Sequence, residues 1–189
     1  MLYLKSDFFA RDTLSVARDL IGAILVYGPC EGRIVETEAY TTDAASHALM
    51  RRNKGALMRE TYGHLYIHIN YGVHHCLNLT TERDGIGAVL IRAVEPLRGI
   101  EEMIERRGTD DLKKLASGPG RLSQAFGIDI SLNGRPINRE IKIRERAVAP
   151  QIAVSPRIGI TRAADLEWRF YESGSPFVSR ASGARATSS

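Results

Sequence analysis

Long apolar runs are missing from these 189 residues. None approaches the roughly 20 residues that a membrane-crossing helix needs. The opening Met1-Leu2-Tyr3-Leu4-Lys5-Ser6-Asp7 lacks the apolar stretch of a signal peptide. Cysteine is scarce. Cys30 and Cys76 have neither the spacing of a metal site nor that of a disulfide framework, and they read as reduced thiols behaving like small hydrophobes. A nucleotide P-loop is also missing, because Ser117-Gly118-Pro119-Gly120-Arg121 lacks the Lys-Ser/Thr ending. There is no internal repeat and no dividing linker. The expectation is a soluble cytoplasmic protein with one domain over residues 1–180 and a small, polar, disordered tail over 181–189.

What is present suits a packed domain. Hydrophobic residues at 43% and charged residues at 25% are ordinary globular values. The net charge of +4 permits a polyanionic partner without establishing one. Thr13 to Ile21 reads as a helix stopped by Gly22, and Ala23 to Tyr27 as a short strand. Arg33 to Tyr40 is the next strand. Strict alternation places Ile34, Glu36, Glu38 and Tyr40 on one side, with Val35, Thr37 and Ala39 on the other. Thr41 to Gly63 reads as a long loop. Leu65 to Tyr71 and Val73 to Thr80 read as strands of a hairpin tipped by Asn70-Tyr71-Gly72. Ala88 to Ala93 is a further strand. Pro96 reads as the opening of a helix that Gly108 closes, and a second helix runs from Pro119 to Phe126. Residues 152–154, 158–160 and 169–171 are strand candidates. The fold class expected is α+β, a single mixed domain with a largely antiparallel sheet and flanking helices.

Several residues invite chemistry. Two acids on one face of an apolar strand are costly without a partner or a task, and Glu38 followed by Tyr40 suggests a general base beside a flat ligand. Arg92 interrupts an apolar strand and needs an anionic partner, for which Glu38 is the candidate. Ser117 to Arg121 puts open amides and a cation at a helix start, a way to hold phosphate. Tyr71, a large aromatic at a turn, either folds back on the sheet or acts as a wedge between bases. His64 and His68 share a strand face but lie too far apart to pair on a metal, and no Cys or Asp is spaced to complete a site. No metal and no cofactor are expected.

These pieces, in this order, resemble the alkyladenine (3-methyladenine) DNA glycosylase family. The residues that carry the likeness are Arg33 to Tyr40, the run to His47, Gly63-His64-Leu65-Tyr66, Ile69-Asn70-Tyr71-Gly72, Cys76-Leu77-Asn78, Leu90 to Leu97, Ser117-Gly118-Pro119, Arg157-Ile158-Gly159-Ile160 and Phe170 to Pro176. They span residues 8–180. The resemblance implies a monofunctional enzyme of base excision repair that flips a damaged purine out of duplex DNA. It would hydrolyse the base–sugar bond and leave an abasic site. The substrates implied are alkylated purines (3-methyladenine, 7-methylguanine) and deaminated or etheno purines (hypoxanthine, ethenoadenine). By the same resemblance Glu38 is the general base, and Arg92 and the backbone carbonyl of Ile158 hold the attacking water. Tyr40 and His47 form one wall of the base pocket. His68 forms the other, where the mammalian member has a tyrosine. Asn78 obstructs the 2-amino group of guanine. Tyr71, on a β-hairpin in the DNA minor groove of a curved sheet, fills the gap left by the flipped base. Arg51, Arg52, Lys54, Gly118, Arg121 and Arg157 are candidate contacts to the DNA backbone. The partner implied is double-stranded DNA bearing damaged purines, with a monomeric protein and no obligate protein partner. A weakly catalytic binder of damaged or bent DNA is the alternative.

Overall fold

The computed structural model describes residues 2–46 and 55–179. The chain opens with α1 (Ser6–Phe9) and α2 (Thr13–Asp19), and the Asp12 carboxylate caps α2 by accepting from the Ser15 N–H at 2.8 Å. Two strands follow, β1 (Ile24–Tyr27) and β2 (Cys30–Tyr40). Helix α3 (Ala56–Glu60) precedes the hairpin of β3 (Leu65–Asn70) and β4 (His74–Thr81), and β5 (Gly87–Arg98) completes the central strands. Helices α4 (Ile100–Arg107), α5 (Leu112–Leu115) and α6 (Pro119–Phe126) come next, with a 3₁₀ turn at Ile130–Leu132. The last strands are β6 (Lys142–Arg144), β7 (Ile152–Ser155) and β8 (Arg169–Glu172).

All strand pairs are antiparallel, in the order β3-β4-β5-β2-β1-β6. The long β2 organises this curled sheet. Strand β5 runs along one edge of β2, while β1 pairs with its first half and β8 with residues 36–38. Strand β7 pairs with the far side of β8. The α+β expectation therefore holds, with helices flanking a largely antiparallel sheet.

One face of the sheet is the main core. Leu65 and Ile67 of β3, Leu77 and Leu79 of β4, and Val89 and Ile91 of β5 pack there with Val16, Leu20 and Phe126 from the helices. The alternate residues of the same strands, such as Tyr66, Cys76, Asn78 and Leu90, line a cleft on the opposite face. Period-two alternation thus sorts core from cleft.

Strand β2 departs from that alternation. Cys30 and Ile34 belong to the core, and so does Ala39, while Thr37 turns towards α2 and donates to the Ala17 carbonyl at 2.9 Å. Core positions are even before residue 35 and odd after it. The pairing with β5 shifts on both sides of Glu36, which faces Ala93, while Ile34 pairs with Val94 and Thr37 with Ile91. Each strand takes up an extra residue, the mark of a β-bulge. Ile34 therefore does not share a face with Glu36, Glu38 and Tyr40, contrary to strict alternation.

Other expectations are corrected. Pro96 opens no helix: it pairs with Gly32 near the end of β5, beside a register shift at Glu31/Gly32 that suits a residue with no N–H to donate. The helix starts after Gly99, whose φ of 68° breaks the strand. Residues 158–160 form no strand, because Gly159 has a φ of 76°. The expected loop from Thr41 to Gly63 contains α3, and its residues 47–54 lie outside the described residues, as does the expected tail over 181–189. Among the described residues no helix is long and apolar enough to cross a membrane.

Candidate active site

The cleft has a volume of about 210 Å³ and opens beside the β3–β4 hairpin. Its lining includes Tyr40 from β2, His68 from β3, Asn78 from β4, Arg92 from β5, Ile158 from the loop after β7, and Tyr71 at the hairpin tip. Six of the residues singled out from the sequence thus come to one place. His47, Arg51, Arg52 and Lys54 lie outside the described residues.

Glu38 is fully buried behind this wall, and three cleft-lining residues hold it. The Tyr40 hydroxyl donates to Oε2 at 2.8 Å, Arg92 Nη1 donates to the same oxygen at 3.2 Å, and the Ile158 N–H donates to Oε1 at 2.7 Å. The observed tie from Ile158 runs through its amide N–H. Burial, then the adjacent Glu38 carboxylate, pushes the Tyr40 hydroxyl well above the ordinary tyrosine range, so it stays a proton donor. Burial opposes the charge on Arg92, but Glu38 and Glu36 outweigh it and hold the guanidinium protonated.

The second acid, Glu36, is also fully buried and fully engaged. Its Oε1 accepts from Arg169 Nε at 2.6 Å, the Ser179 hydroxyl at 2.8 Å and Arg92 Nε at 3.2 Å, and its Oε2 accepts from the Ser179 N–H at 2.7 Å. Two acids, Glu36 and Glu38, thus face two arginines, Arg92 and Arg169. Buried charge is tolerable only with this degree of pairing. Sequence reasoning named Arg92 and the two acids but missed Arg169 and Ser179. Arg169 leaves a faint signal, a cation beside Phe170 on a strand; Ser179 leaves none.

Asn78 is buried, and its Nδ2 donates to the carbonyls of Tyr66 at 3.0 Å and Cys76 at 3.1 Å. It also lies 3.3 Å from His68 Nδ1. That anchoring fixes Asn78 rigidly in the cleft wall. Cys76 lines the cleft too, and burial pushes its thiol up to about 11.

At the hairpin tip Tyr71 has a φ of 50° and is 82% exposed, with Ile69 and Val73 also exposed beside it. An aromatic side chain in solvent on a left-handed backbone adds nothing to the stability of the free protein. Such strain is a pointer to function. Of the proposed backbone contacts, Arg121 is exposed on α6, and Gly118 precedes that helix. Arg157 is a correction. Its side chain is fully buried, paired with Asp43 at 2.7 Å and bonded to the Ala39 carbonyl at 2.9 Å. The guanidinium lies over the rings of Tyr40 at 4.7 Å and Trp168 at 5.0 Å, so it cannot reach a phosphate on the surface. Among the described residues no three His, Cys, Asp or Glu side chains converge as metal ligands.

A profile of the methylpurine-DNA glycosylase (MPG) family matches residues 7–176. The chain belongs to that family. Membership supplies the class of chemistry, hydrolysis of N-glycosyl bonds in the repair of DNA with alkylated purines. Similar curated proteins carry the name "Putative 3-methyladenine DNA glycosylase". One from Rhodopseudomonas palustris (strain HaA2) is 47% identical over 93% of this chain and 90% of its own length. Another, from Methanoculleus marisnigri, is 45% identical over 94% of this chain and 98% of its own length. A third, from Agrobacterium fabrum, is 48% identical over 94% and 92%. The family match spans every strand of the sheet and all the cleft residues named above, and it ends three residues before Ser179.

Proposed function

We propose that the protein is a monofunctional DNA glycosylase that flips damaged purines into this cleft and releases them by attack of water. Glu38 is the general base. It takes a proton from water as the water oxygen bonds to the anomeric carbon of the sugar, and the N-glycosyl electron pair leaves with the base. A 3-methyladenine or 7-methylguanine nucleotide is cationic, so this electron pair discharges the ring and needs no acid. Base catalysis of this kind contributes about 10² to 10⁴ in rate. The range extends to hypoxanthine and ethenoadenine.

The observation that carries the reading is the set of three donors on buried Glu38, each from a residue that lines the cleft. Arg92 and the Ile158 segment are placed to hold the water against Glu38. Tyr40, His68 and, from outside the described residues, His47 serve as walls for the flipped base. Asn78 meets the guanine 2-amino group, which disfavours undamaged guanine. Tyr71 enters the duplex from the minor groove and occupies the space of the flipped nucleotide. Gly118 and Arg121, with Arg51, Arg52 and Lys54, contact the DNA backbone. The enzyme works as a single-domain monomer on double-stranded DNA, without a cofactor.

The test uses duplexes carrying one 3-methyladenine, hypoxanthine or ethenoadenine, with alkaline cleavage of the abasic product. The expected result is at least one product per active site in the burst with the best lesion, and Glu38→Gln that binds DNA and loses excision. Release of no lesion at any pH, or excision retained by Glu38→Gln, would sink the assignment.

A further inference from the structure

Arg92 has two carboxylates to choose from, and a guanidinium beside a free carboxylate prefers to engage both oxygens in a bidentate fork. Here it does not. Its Nε reaches Glu36 Oε1 and its Nη1 reaches Glu38 Oε2, both at 3.2 Å, so the cation is divided between the two acids. The reason lies on the far side of Glu36. Oε2, the oxygen a fork would need, already accepts the Ser179 N–H at 2.7 Å. The Ser179 hydroxyl donates to Oε1 at 2.8 Å and receives Arg92 Nη2 at 3.4 Å. The Ser179 carbonyl accepts Arg169 Nη2 at 3.1 Å, and Arg169 is itself fixed by Glu36 and by the Ser155 hydroxyl at 3.0 Å. The donor and acceptor groups of this one residue are thus all spent on the ion pairs behind the cleft, and Ser179 is buried. It lies beyond residue 176, where the family match ends.

We propose that Ser179 is a positioning residue of the active site: by saturating Glu36 it keeps Arg92 shared with Glu38, at the edge of the cleft where the attacking water is held. The inference rests on the glycosylase reading above. Without the Ser179 segment, Glu36 Oε2 loses its donor and Arg92 swings into a fork on Glu36. Its hold on Glu38 and the water lengthens. Small displacements of a positioning group are expensive in rate and cheap in binding.

The experiment compares four proteins with the full chain: Ser179→Ala, Ser179→Thr, Ser179→Pro and a chain ended after Pro176. Single-turnover excision and DNA affinity are measured on the best lesion, with a thermal melt of each. Ser179→Pro and the shortened chain, which lose the N–H, should excise slower by about tenfold or more, with affinity unchanged within about twofold. Ser179→Ala keeps the N–H and should slow by about threefold, and Ser179→Thr should restore the rate. If the shortened chain does not fold, the three substitutions decide. Wild-type excision by Ser179→Pro would overturn the proposal, as would a loss confined to DNA affinity or a threonine variant as slow as alanine. A full chain that excises none of the lesions would overturn the glycosylase reading and this inference with it.

Discussion

Replacing Arg157 with Met separates two accounts of a cation that sequence inspection places on the DNA. The structure puts it inside, with Asp43 4% exposed opposite it. Breaking a buried ion pair by removing one partner costs about 3–5 kcal/mol, because the remaining charge is stranded. Asp43 keeps the Ala45 N–H at 2.9 Å and the Thr41 N–H at 3.3 Å, which favours the lower end. Loss of the stacks on Tyr40 and Trp168 adds to it. For a domain of this size the expected drop in Tm is roughly 6–20 °C. The pH dependence has a definite sign. Burial tends to raise the Asp43 carboxyl, but Arg157 and the two backbone donors more than offset this and hold it below the usual range. A depressed carboxylate stabilises the fold above the unfolded value, about 3.9, and loses that stabilisation as pH falls through the folded value. In Arg157→Met the stranded acid is instead raised by burial, so its penalty grows as pH rises. Urea melts followed by circular dichroism at pH 7 and pH 3 should therefore show a wide gap between wild type and variant at pH 7 and a narrower one at pH 3. Asp43→Asn combined with Arg157→Met should recover part of the loss. A gap below about 1 kcal/mol at pH 7, or a variant that folds normally but loses one phosphate's worth of salt dependence, would refute the argument.

Tyr71→Gly relieves the left-handed tyrosine and should stabilise the free protein by up to about 1 kcal/mol, while excision from duplex DNA slows; a variant equally fast on duplex would remove the wedge role. Cys76 lines the cleft with its thiol pushed up to about 11. Its labelling by iodoacetamide, followed by mass spectrometry, should be negligible at pH 8 and climb about tenfold per pH unit above it. Gly32→Ala puts a Cβ 2.7 Å from Val94 Cγ2 and 3.1 Å from Phe126 Cζ; overpacking should cost about 1–3 kcal/mol in urea melts.

The sheet was legible where alternation runs unbroken. In β3 and β4 the residues that face the core and those that face the cleft follow the sequence two by two, and Asn70-Tyr71-Gly72 marks their turn. Glu38 and Tyr40 could be placed together for the same reason. Strand β2 defeats the rule upstream of them, because a bulge is a pairing event and leaves no residue signature; Val35 looks like any strand valine. Pro96 misled because its missing N–H disfavours a strand interior, yet it stands near the end of β5 beside a register shift. Arg157 could not be told from a surface cation by sequence, since burial depends on Tyr40 and Asp43, at and just past the end of β2 and far from it in the chain, and on Trp168 just before β8, separated from it by a loop. The same holds for Ser179, whose partners are 10, 87 and 143 positions away.

The bulge at Val35 turns the active site into a matter of arithmetic. Away from Gly32, Glu36 and Glu38, a side chain exchanged along β2 disturbs only its own contacts. The number of residues between Cys30 and Tyr40 has no such tolerance. Deleting Val35 would swap the two faces of everything upstream and drive Ile34 out of the core. Closing the gap from the other side would turn Glu38 and Tyr40 into the packed helices. In this strand spacing constrains the site as strictly as chemistry, and a library built for new base preferences should keep Glu36 and Glu38 and hold the length of β2 fixed.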